Sequence, residues 1–366
     1  MNFYKIKNNI YLNYNIFLYI IILLLINLIL VYSASNRSKI ILFKNIFNII
    51  FSFIILIFFI NINSDFFYKN SFLIYIINNI LLILVLFSGL KIKGVKRWIN
   101  IRIFNFQPSE VSKFTTSILI TKLLYNNYKI SNFFLYFLII FLVLIPSILT
   151  LIQPDLGTSI TIILSSIITM YLSGLNINFI INIILFFFIC FIIGWFTLFK
   201  EYQKNRIMSL LGLIKDPLGI NYNLIQSKIA IGSGGIFGKG LFNGTQSKLN
   251  FIPEGYTDFI FSVFSEELGF IGILTLIFIY FMLIKELLDI SKKTKNIFNK
   301  ILSSSITLNI FMSIFINISM VIGIIPIVGT TLPLLSYGGS SIISNLLGIG
   351  IIMCININNN KNIFKY

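Results

Sequence analysis

The acidic residues of this sequence are few, and they limit the chemistry that the chain can perform. Asp and Glu together number 11, and there is no histidine. Imidazole catalysis, histidine metal ligation and histidine-based pH switching are therefore excluded. A general base must be one of these acids or a neutralised lysine. Cys190 and Cys354 both fall in apolar runs and offer neither a disulfide framework nor a CxxC metal site.

Three short motifs place ionisable groups where lipid is expected. They run from Gln107 to Lys113, from Gln153 to Thr158 and from Pro253 to Phe259. An ionisable side chain at membrane depth costs roughly 2.5–3.5 kcal/mol or more, so such residues mark functional sites by default. The three motifs are therefore the candidate site.

The first motif opens a predicted helix and carries an ion pair. Pro108 suits the first helical turn, and Glu110 is favourable near a helix N-terminus. Lys113 lies three residues further on, on the same helix face, so we expect an internal Glu110–Lys113 pair. This pair either fixes the position of the helix or contacts a substrate directly.

The other two motifs each contain an aspartate at a predicted helix start. Asp155 is interpreted either as a helix N-cap or as part of the wall of a polar cavity, and the two roles are compatible. Asp258 lies at or just inside the eighth predicted span, with Glu254 nearby. Desolvation and a neighbouring carboxylate both raise a carboxyl pKa toward the range that suits a general base. The competing interpretation is again a simple cap.

Glycine is concentrated near the third motif. Half of the 22 glycines lie between Gly212 and Gly272. Glycine permits positive φ and close backbone approach to a ligand, and successive backbone N–H groups in such turns form anion nests. We therefore expect an ordered, functional segment here, packed against the membrane.

The elements that position these motifs are membrane helices. Of the residues, 57% are hydrophobic and only 11% are charged, which excludes a water-soluble globular protein. A spanning helix needs about 20 mostly apolar residues. The sequence predicts an all-α polytopic membrane protein, a single domain over 1–366, with about ten transmembrane helices and one long extracytoplasmic loop at 200–256. The predicted spans are 11–33, 43–62, 72–90, 108–126, 132–153, 157–175, 177–199, 257–286, 301–327 and 335–356.

The first span is too long for the apolar core of a signal peptide, so we expect an uncleaved first helix. The net charge of +17 is interpreted as contact with anionic membrane lipids; no nucleic-acid module is present. With a cytoplasmic N-terminus, the basic segment from Lys91 to Arg102 falls on the outer side, against the usual bias. That exception suggests a functional reason for its charge.

Taken in order, further segments resemble the SEDS family of peptidoglycan glycosyltransferases, and most closely its elongation branch. The resemblance runs from about residue 30 to 353, and its ordered set of motifs is specific. One departure is Tyr256, which stands where the family usually has histidine. The resembling segments are Tyr32–Ser35, Gly94–Trp98, Gln107–Lys113, Gln153–Thr158, Tyr202–Arg206, Asp216–Gly219, Gln226–Gly235, Gly244–Ser247, Pro253–Phe261, Glu266–Gly269 and Leu332–Ser340.

The resemblance implies an inverting glycosyltransferase that polymerises lipid II on the outer face of the cytoplasmic (inner) membrane, during elongation and rod-shape maintenance. It makes the aspartate of the TDF motif essential, and this maps onto Asp258 as the catalytic base. It also implies two partners, lipid II and a class B penicillin-binding protein, a transpeptidase. A divalent cation could assist, although no ligand cluster is visible.

Cations are needed where the lipid pyrophosphate leaves. We expect Arg97 to bind it, helped by Arg102 and other basic residues; each lysine has the alternative of contacting headgroups or solvent. Besides Asp258, the predicted substrate-binding residues are Arg97, Lys96, Gln107, Glu110, Lys113, Asp155, Lys228 and Lys239.

Three other functions stay open at this point. One is a lipid II flippase or transporter, since polar residues lining a cavity suit it equally well. Another is the division branch of the same family, which Thr330–Pro333 resembles somewhat more closely. The last is a scaffold that has lost catalysis and only recruits a partner.

Overall fold

The computed structural model describes residues 13–92, 94–100, 105–126, 133–197, 199, 201–210, 213, 221–249 and 251–363. Within these residues, ten helices are 17 residues or longer. They are α1 (Tyr14–Ala34), α2 (Lys39–Ile60), α3 (Asp65–Ser88), α4 (Pro108–Asn126), α5 (Phe133–Ile152), α6 (Leu156–Leu172), α7 (Ile177–Thr197), α11 (Ile260–Lys293), α12 (Ile297–Ile322) and α13 (Gly339–Ile363).

Eight of these helices are long and apolar enough to cross a membrane, and α6 is a shorter apolar helix. The polar helix α4 is buried among its neighbours instead, and its Ser and Thr hydroxyls bond back to its own carbonyl groups. The predicted fold of about ten membrane helices is confirmed.

Two regions differ from the prediction of simple loops. The basic segment after α3 forms a small antiparallel sheet of β1 (Leu90–Ile92), β2 (Val95–Asn100) and β3 (Asn105–Phe106). The long loop contains the short helices α8 (Glu201–Leu210), α9 (Tyr222–Ser233) and α10 (Thr245–Lys248). Neither region has the apolar length that identifies a membrane helix, so hydropathy gives no sign of them.

The three motifs lie at one end of the helix bundle, which we call the site end. Successive helices alternate in direction, so the connections α3–α4, α5–α6, α7–α11 and α12–α13 all fall at this end. At the other end of the bundle, hydrogen bonds join neighbouring helices. Tyr68 Oη of α3 donates to Asn126 Oδ1 of α4 at 2.7 Å, and Asn299 Nδ2 of α12 donates to Ser64 Oγ, just before α3, at 3.2 Å.

The glycine-rich segment packs against a break in α11. Gly269 has φ 64° and ψ −163°, and the amides after it bond to the loop: Phe270 N donates to the carbonyl of Gly235 at 2.9 Å. A Cβ on Gly238 would lie 2.2 Å from the carbonyl oxygen of Glu267. Close approach to the backbone of α11 thus explains the glycines at Gly238 and Gly269 without a ligand.

Candidate functional site

Arg97 brings a guanidinium group onto the connection between α5 and α6. It lies in β2, where its Nε donates to the carbonyl of Gln153 at 3.1 Å and its Nη2 donates to that of Pro154. Its Nη1 lies 3.8 Å from Oδ2 of Asp155, which is only 2% exposed. Burial weakens solvent screening, so this ion pair is stronger than one on the surface.

Asp155 has the helix-capping role, one of the two roles that the sequence left open. It is the N-cap of α6, and its Oδ1 accepts from the amide of Thr158 at 3.3 Å. Its Oδ2 accepts from Nε2 of Gln107 at 2.9 Å. Burial raises the pKa of the Asp155 carboxyl, although the neighbouring Arg97 opposes the shift.

Gln107 and the start of α4 complete this side of the site. The amide of Gln107 donates to Ser340 Oγ at 2.8 Å, which ties α4 to the start of α13. The expected Glu110–Lys113 pair is present, with Lys113 Nζ 3.0 Å from Oε2 of Glu110, and Lys113 is buried. The charge of Glu110 also acts on Asp155, so the pair borders the cluster.

Asp258 lies in the turn that precedes α11. The N-cap of α11 is Phe259, which makes no side-chain capping bond, so the interpretation of Asp258 as a cap is wrong. Its backbone carbonyl accepts from Nδ2 of Asn317 at 2.9 Å. Among the described residues, none donates a hydrogen bond to its half-buried carboxylate.

The charges around Asp258 come from four separate parts of the chain. Burial, then Glu254 and Asp155, raise the pKa of Asp258, while Arg97 and Arg206 lower it; the result is about 7. Arg97 and Asp155 are therefore close enough to act on Asp258. A carboxyl with a pKa near neutrality can exist in both protonation states at physiological pH, as a general base requires.

Two residues beside Asp258 were not assigned a role from the sequence. Arg206, on α8, donates through Nη1 to the carbonyl of Ile327 at 3.0 Å. Its rarity was an available signal, since arginine is uncommon in this chain. Asn317, on α12, joins the carbonyls of Asp258 and Thr330. Asparagine is so frequent in this sequence that nothing distinguished Asn317 from the others.

Three of the predicted lysines have partners away from this cluster. Lys96 donates to the carbonyl of Phe87 at 3.0 Å, because successive side chains on a strand point to opposite faces. Lys239 pairs with Glu266 at 2.7 Å. Lys228 lies over Gly323 at the end of α12.

The remaining expectations can be placed briefly. Arg102 lies outside the described residues. The ring of Tyr256, which stands where the family has histidine, packs edge-on against Tyr337 with centroids 5.6 Å apart. Within the described part of the chain, no three acids or thiols are close enough together to hold a metal ion.

The fold and the site define a polytopic helical membrane protein with acidic and guanidinium groups gathered at one end of its bundle. The family model "Cell cycle protein" FtsW/RodA/SpoVE matches residues 11–361. The chain belongs to this family, and it is a multi-pass protein of the bacterial inner membrane.

Two relatives indicate how close the similarity is. The peptidoglycan glycosyltransferase MrdB of Escherichia coli K12 is 38% identical over 351 residues, which cover 95% of this chain and 94% of that protein. The probable peptidoglycan glycosyltransferase FtsW of Buchnera aphidicola subsp. Schizaphis graminum is 40% identical over 317 residues, covering 85% of this chain and 89% of that protein.

Solved structures share the fold. A chain of a peptidoglycan synthase complex, solved to study how polymerization and crosslinking are coordinated, aligns with a TM-score of 0.81 at 24% identity, covering 95% of this chain and 98% of that one. The rod shape determining protein RodA of Thermus thermophilus aligns with a TM-score of 0.72 at 22% identity, covering 96% and 98%.

Proposed function

We propose that this protein is a peptidoglycan glycosyltransferase that polymerises lipid II at the outer face of the inner membrane. Asp258 carries the proposal: its carboxyl has a pKa near 7, and the charges of Arg97 and Arg206 act on it. A base and cations within reach of each other are what glycosyl transfer from a pyrophosphate donor requires.

In the proposed reaction, the Asp258 carboxylate accepts the proton of the acceptor sugar hydroxyl. The hydroxyl oxygen then forms a bond to the anomeric carbon of the donor, and the bond from that carbon to the pyrophosphate oxygen breaks. A direct displacement inverts the anomeric centre, from an α-linked donor to a β-linked product. The proton leaves Asp258 to solvent before the next cycle.

The leaving pyrophosphate gains negative charge as this bond breaks, and we propose that two arginines stabilise it. Arg97 is held by two backbone carbonyls and Asp155, and Arg206 by the carbonyl of Ile327. Guanidinium groups that are already fixed lose little freedom on binding phosphate oxygens, and they bind these oxygens through paired donors. Gln107, Glu110 and Lys113 support the wall that holds Asp155.

Three of the lysines that were predicted to bind substrate have neighbours away from Asp258. Lys96, Lys228 and Lys239 would reach substrate only by leaving the neighbours described above. We propose that Lys228 contacts the edge of the bound lipid, because α9 packs on the end of α12, where Ser227 Oγ donates to the carbonyl of Val321 at 2.9 Å. Lys96 and Lys239 fit better as supports of the sheet and of the long loop.

The proposed setting is cell elongation, beside a class B penicillin-binding protein. The match to MrdB covers more of this chain than the match to the FtsW relative, 95% against 85%. The structural neighbour with the higher TM-score comes from a synthase complex that couples polymerization to crosslinking. We place the connection between α7 and α11 on the outer side, where lipid II and such a partner are accessible.

The test is polymerisation of lipid II by the purified protein in detergent, read as glycan length on a gel. We expect product from the wild-type protein and a rate lower by about 10²–10⁴-fold for Asp258→Asn, the usual contribution of a general base. Asp289→Asn is the matched control, since Asp289 pairs with the exposed Lys292 near the other end of α11. Polymer made at an undiminished rate by Asp258→Asn would refute the assignment of the base.

The same assay distinguishes an enzyme from a transporter. A detergent solution has no membrane that separates two compartments, so product formed there cannot result from transport. A folded wild-type protein that yields no polymer, yet moves labelled lipid II across vesicle membranes, would favour the transporter. Failure in both assays, with binding to the transpeptidase retained, would favour the scaffold.

A further inference from the structure

A small cavity at the site end lies apart from the proposed active site. Its volume is about 200 Å³, and it is lined by Ser33, Asn36, Arg37, Phe242 and Lys248. These residues come from the end of α1, from the turn between α1 and α2, and from the loop that contains α10. Ser33 also contacts α11, where its hydroxyl donates to the carboxylate of Glu267, nine residues after Asp258 in the chain.

The backbone around this cavity is strained. Five described residues other than glycine have positive φ, and three of them line the cavity: Asn36 (53°), Arg37 (62°) and Phe242 (62°). Residues with side chains adopt this conformation at an energetic cost, and such positions cluster at ligand clamps and other functional sites. The strain therefore points to a use for this cavity beyond packing.

Both cationic groups of the cavity contact neighbouring residues. The guanidinium carbon of Arg37 lies 5.6 Å from the ring centroid of Phe242, whose position is supported by an edge contact with Tyr32. Lys248 Nζ donates to Oδ1 of Asn243 at 3.3 Å. Behind the cavity, the fully buried carboxylate of Glu267 accepts from Ser33 Oγ. Two exposed cations thus line the cavity, while the carboxylate of Glu267 is buried beneath Ser33.

The surroundings of the cavity are apolar. Ile40 and Phe43, on the first turns of α2, are 69% and 66% exposed, and Leu249 beside Lys248 is 62% exposed. Exposed residues of this kind on a membrane protein face acyl chains. A ligand that satisfies both features carries a phosphate for the cations and an apolar tail that lies along α2.

We propose that this cavity binds the phosphate group of a membrane-anchored lipid. The phosphate oxygens accept hydrogen bonds from Arg37 and Lys248, with Asn36 and Ser33 as polar neighbours. The bound lipid connects the α1–α2 turn to the loop that precedes Asp258. A glycerophospholipid and a polyprenyl phosphate both offer this chemistry. The proposal is independent of the function proposed for Asp258.

The experiment titrates the purified full chain in detergent with dioleoyl-phosphatidylglycerol, and native mass spectrometry counts the bound lipids. We expect the double variant Arg37→Gln/Lys248→Gln to bind at least about tenfold more weakly, since two charged donors to phosphate are lost. The matched control is Lys39→Gln/Lys44→Gln, which removes the same charge from α2 outside the cavity; we expect a change of less than about twofold. Equal weakening in both variants, or no weakening in the first, would overturn the proposal.

Two further arms identify the ligand and guard against misfolding. Competition with a polyprenyl phosphate distinguishes the two lipid sources: displacement of the glycerophospholipid assigns the cavity to the polyprenyl compound, and failure to displace it assigns the cavity to the glycerophospholipid. Full displacement by inorganic phosphate would contradict a membrane-anchored ligand. Lys248→Gln alone changes an exposed side chain; if the double variant fails to fold, an unchanged affinity in this single variant counts against the proposal.

Discussion

Two acidic residues on the same stretch of chain have opposite environments. Asp258 precedes α11, and no described residue donates a hydrogen bond to its carboxylate. Glu266, eight residues later, is fully buried, and its carboxylate accepts from Lys239, Thr245 and Gln246 at 2.7–3.2 Å. A carboxylate whose hydrogen-bonding capacity is satisfied stabilises structure, whereas one left without donors near arginines is available for chemistry.

The difference has a structural cause. Glu266 lies where the glycine-rich loop reaches the break in α11, so backbone amides and Lys239 surround it. Asp258 lies where the charges of Glu254, Asp155, Arg97 and Arg206 act on it, and no backbone amide of a described residue donates to its carboxylate. Their charges act on Asp258 in both directions, with Glu254 raising its pKa and Arg206 lowering it.

The largest expected effect is a separation of activity from stability. We expect Asp258→Asn to lower the polymerisation rate by about 10²–10⁴-fold without lowering the unfolding temperature. Glu266→Gln should instead lower the free energy of unfolding by about 1–3 kcal/mol, because Lys239 and two amides lose a charged acceptor. Activity per folded molecule should then stay within a few-fold of the wild type. Loss of rate without loss of stability in Glu266→Gln would remove the contrast.

A smaller effect is expected from Arg97, whose charge acts on Asp258. Arg97→Gln should weaken binding of lipid II by about tenfold or more, since a charged donor to the pyrophosphate is lost. The control is Lys91→Gln, because Lys91 is an exposed residue of β1 in the same sheet. Affinity measured by fluorescence titration should be normal for the control, and normal affinity in Arg97→Gln would exclude Arg97 from the site.

Asn317 tests whether the position of Asp258 is set by α12. Asn317→Ala frees the backbone carbonyl of Asp258, so we expect kcat to fall by about tenfold, as for one lost buried hydrogen bond, with little change in KM. Ser313→Ala is the control, because Ser313 lies one turn earlier and bonds to its own helix at Asn309. A fall in unfolding temperature with no change in kcat would indicate a purely structural role.

The smallest effect concerns pH. The pKa of Asp258 is raised from 3.8 to about 7, so its contribution to stability is complete below about pH 4 and is lost as the pH rises through 7. Asp258→Asn avoids this loss. Its unfolding temperature should therefore exceed that of the wild type by an amount that grows from pH 5 to pH 8.

The polymerisation rate should depend on the same ionisation. The rate of the wild-type protein should rise through pH 7 as Asp258 ionises, and a rate independent of pH between 5 and 8 would argue against this base.

The sequence alone determined the membrane architecture and the order of the motifs. A membrane span is identified from the hydrophobicity of its own residues, so ten spans could be predicted without any knowledge of how the helices pack. Charged residues within or directly between such runs stand out for the same reason, which is how Asp155, Glu110 and Asp258 were found. Short elements outside lipid, such as β2 and α9, give no such signal and were missed.

Tertiary structure alone decided which of these residues share a site. The charge of Arg206 acts on Asp258, whereas Lys239 pairs with Glu266. Which acid a basic residue approaches depends on how the ends of the helices pack and where each connection folds back. Residues that are adjacent in sequence can also have different partners, as Lys96 and Arg97 do on β2, because successive side chains of a strand point to opposite faces. Long-range electrostatic proximity arises from that packing, and a local pattern of residues does not contain it.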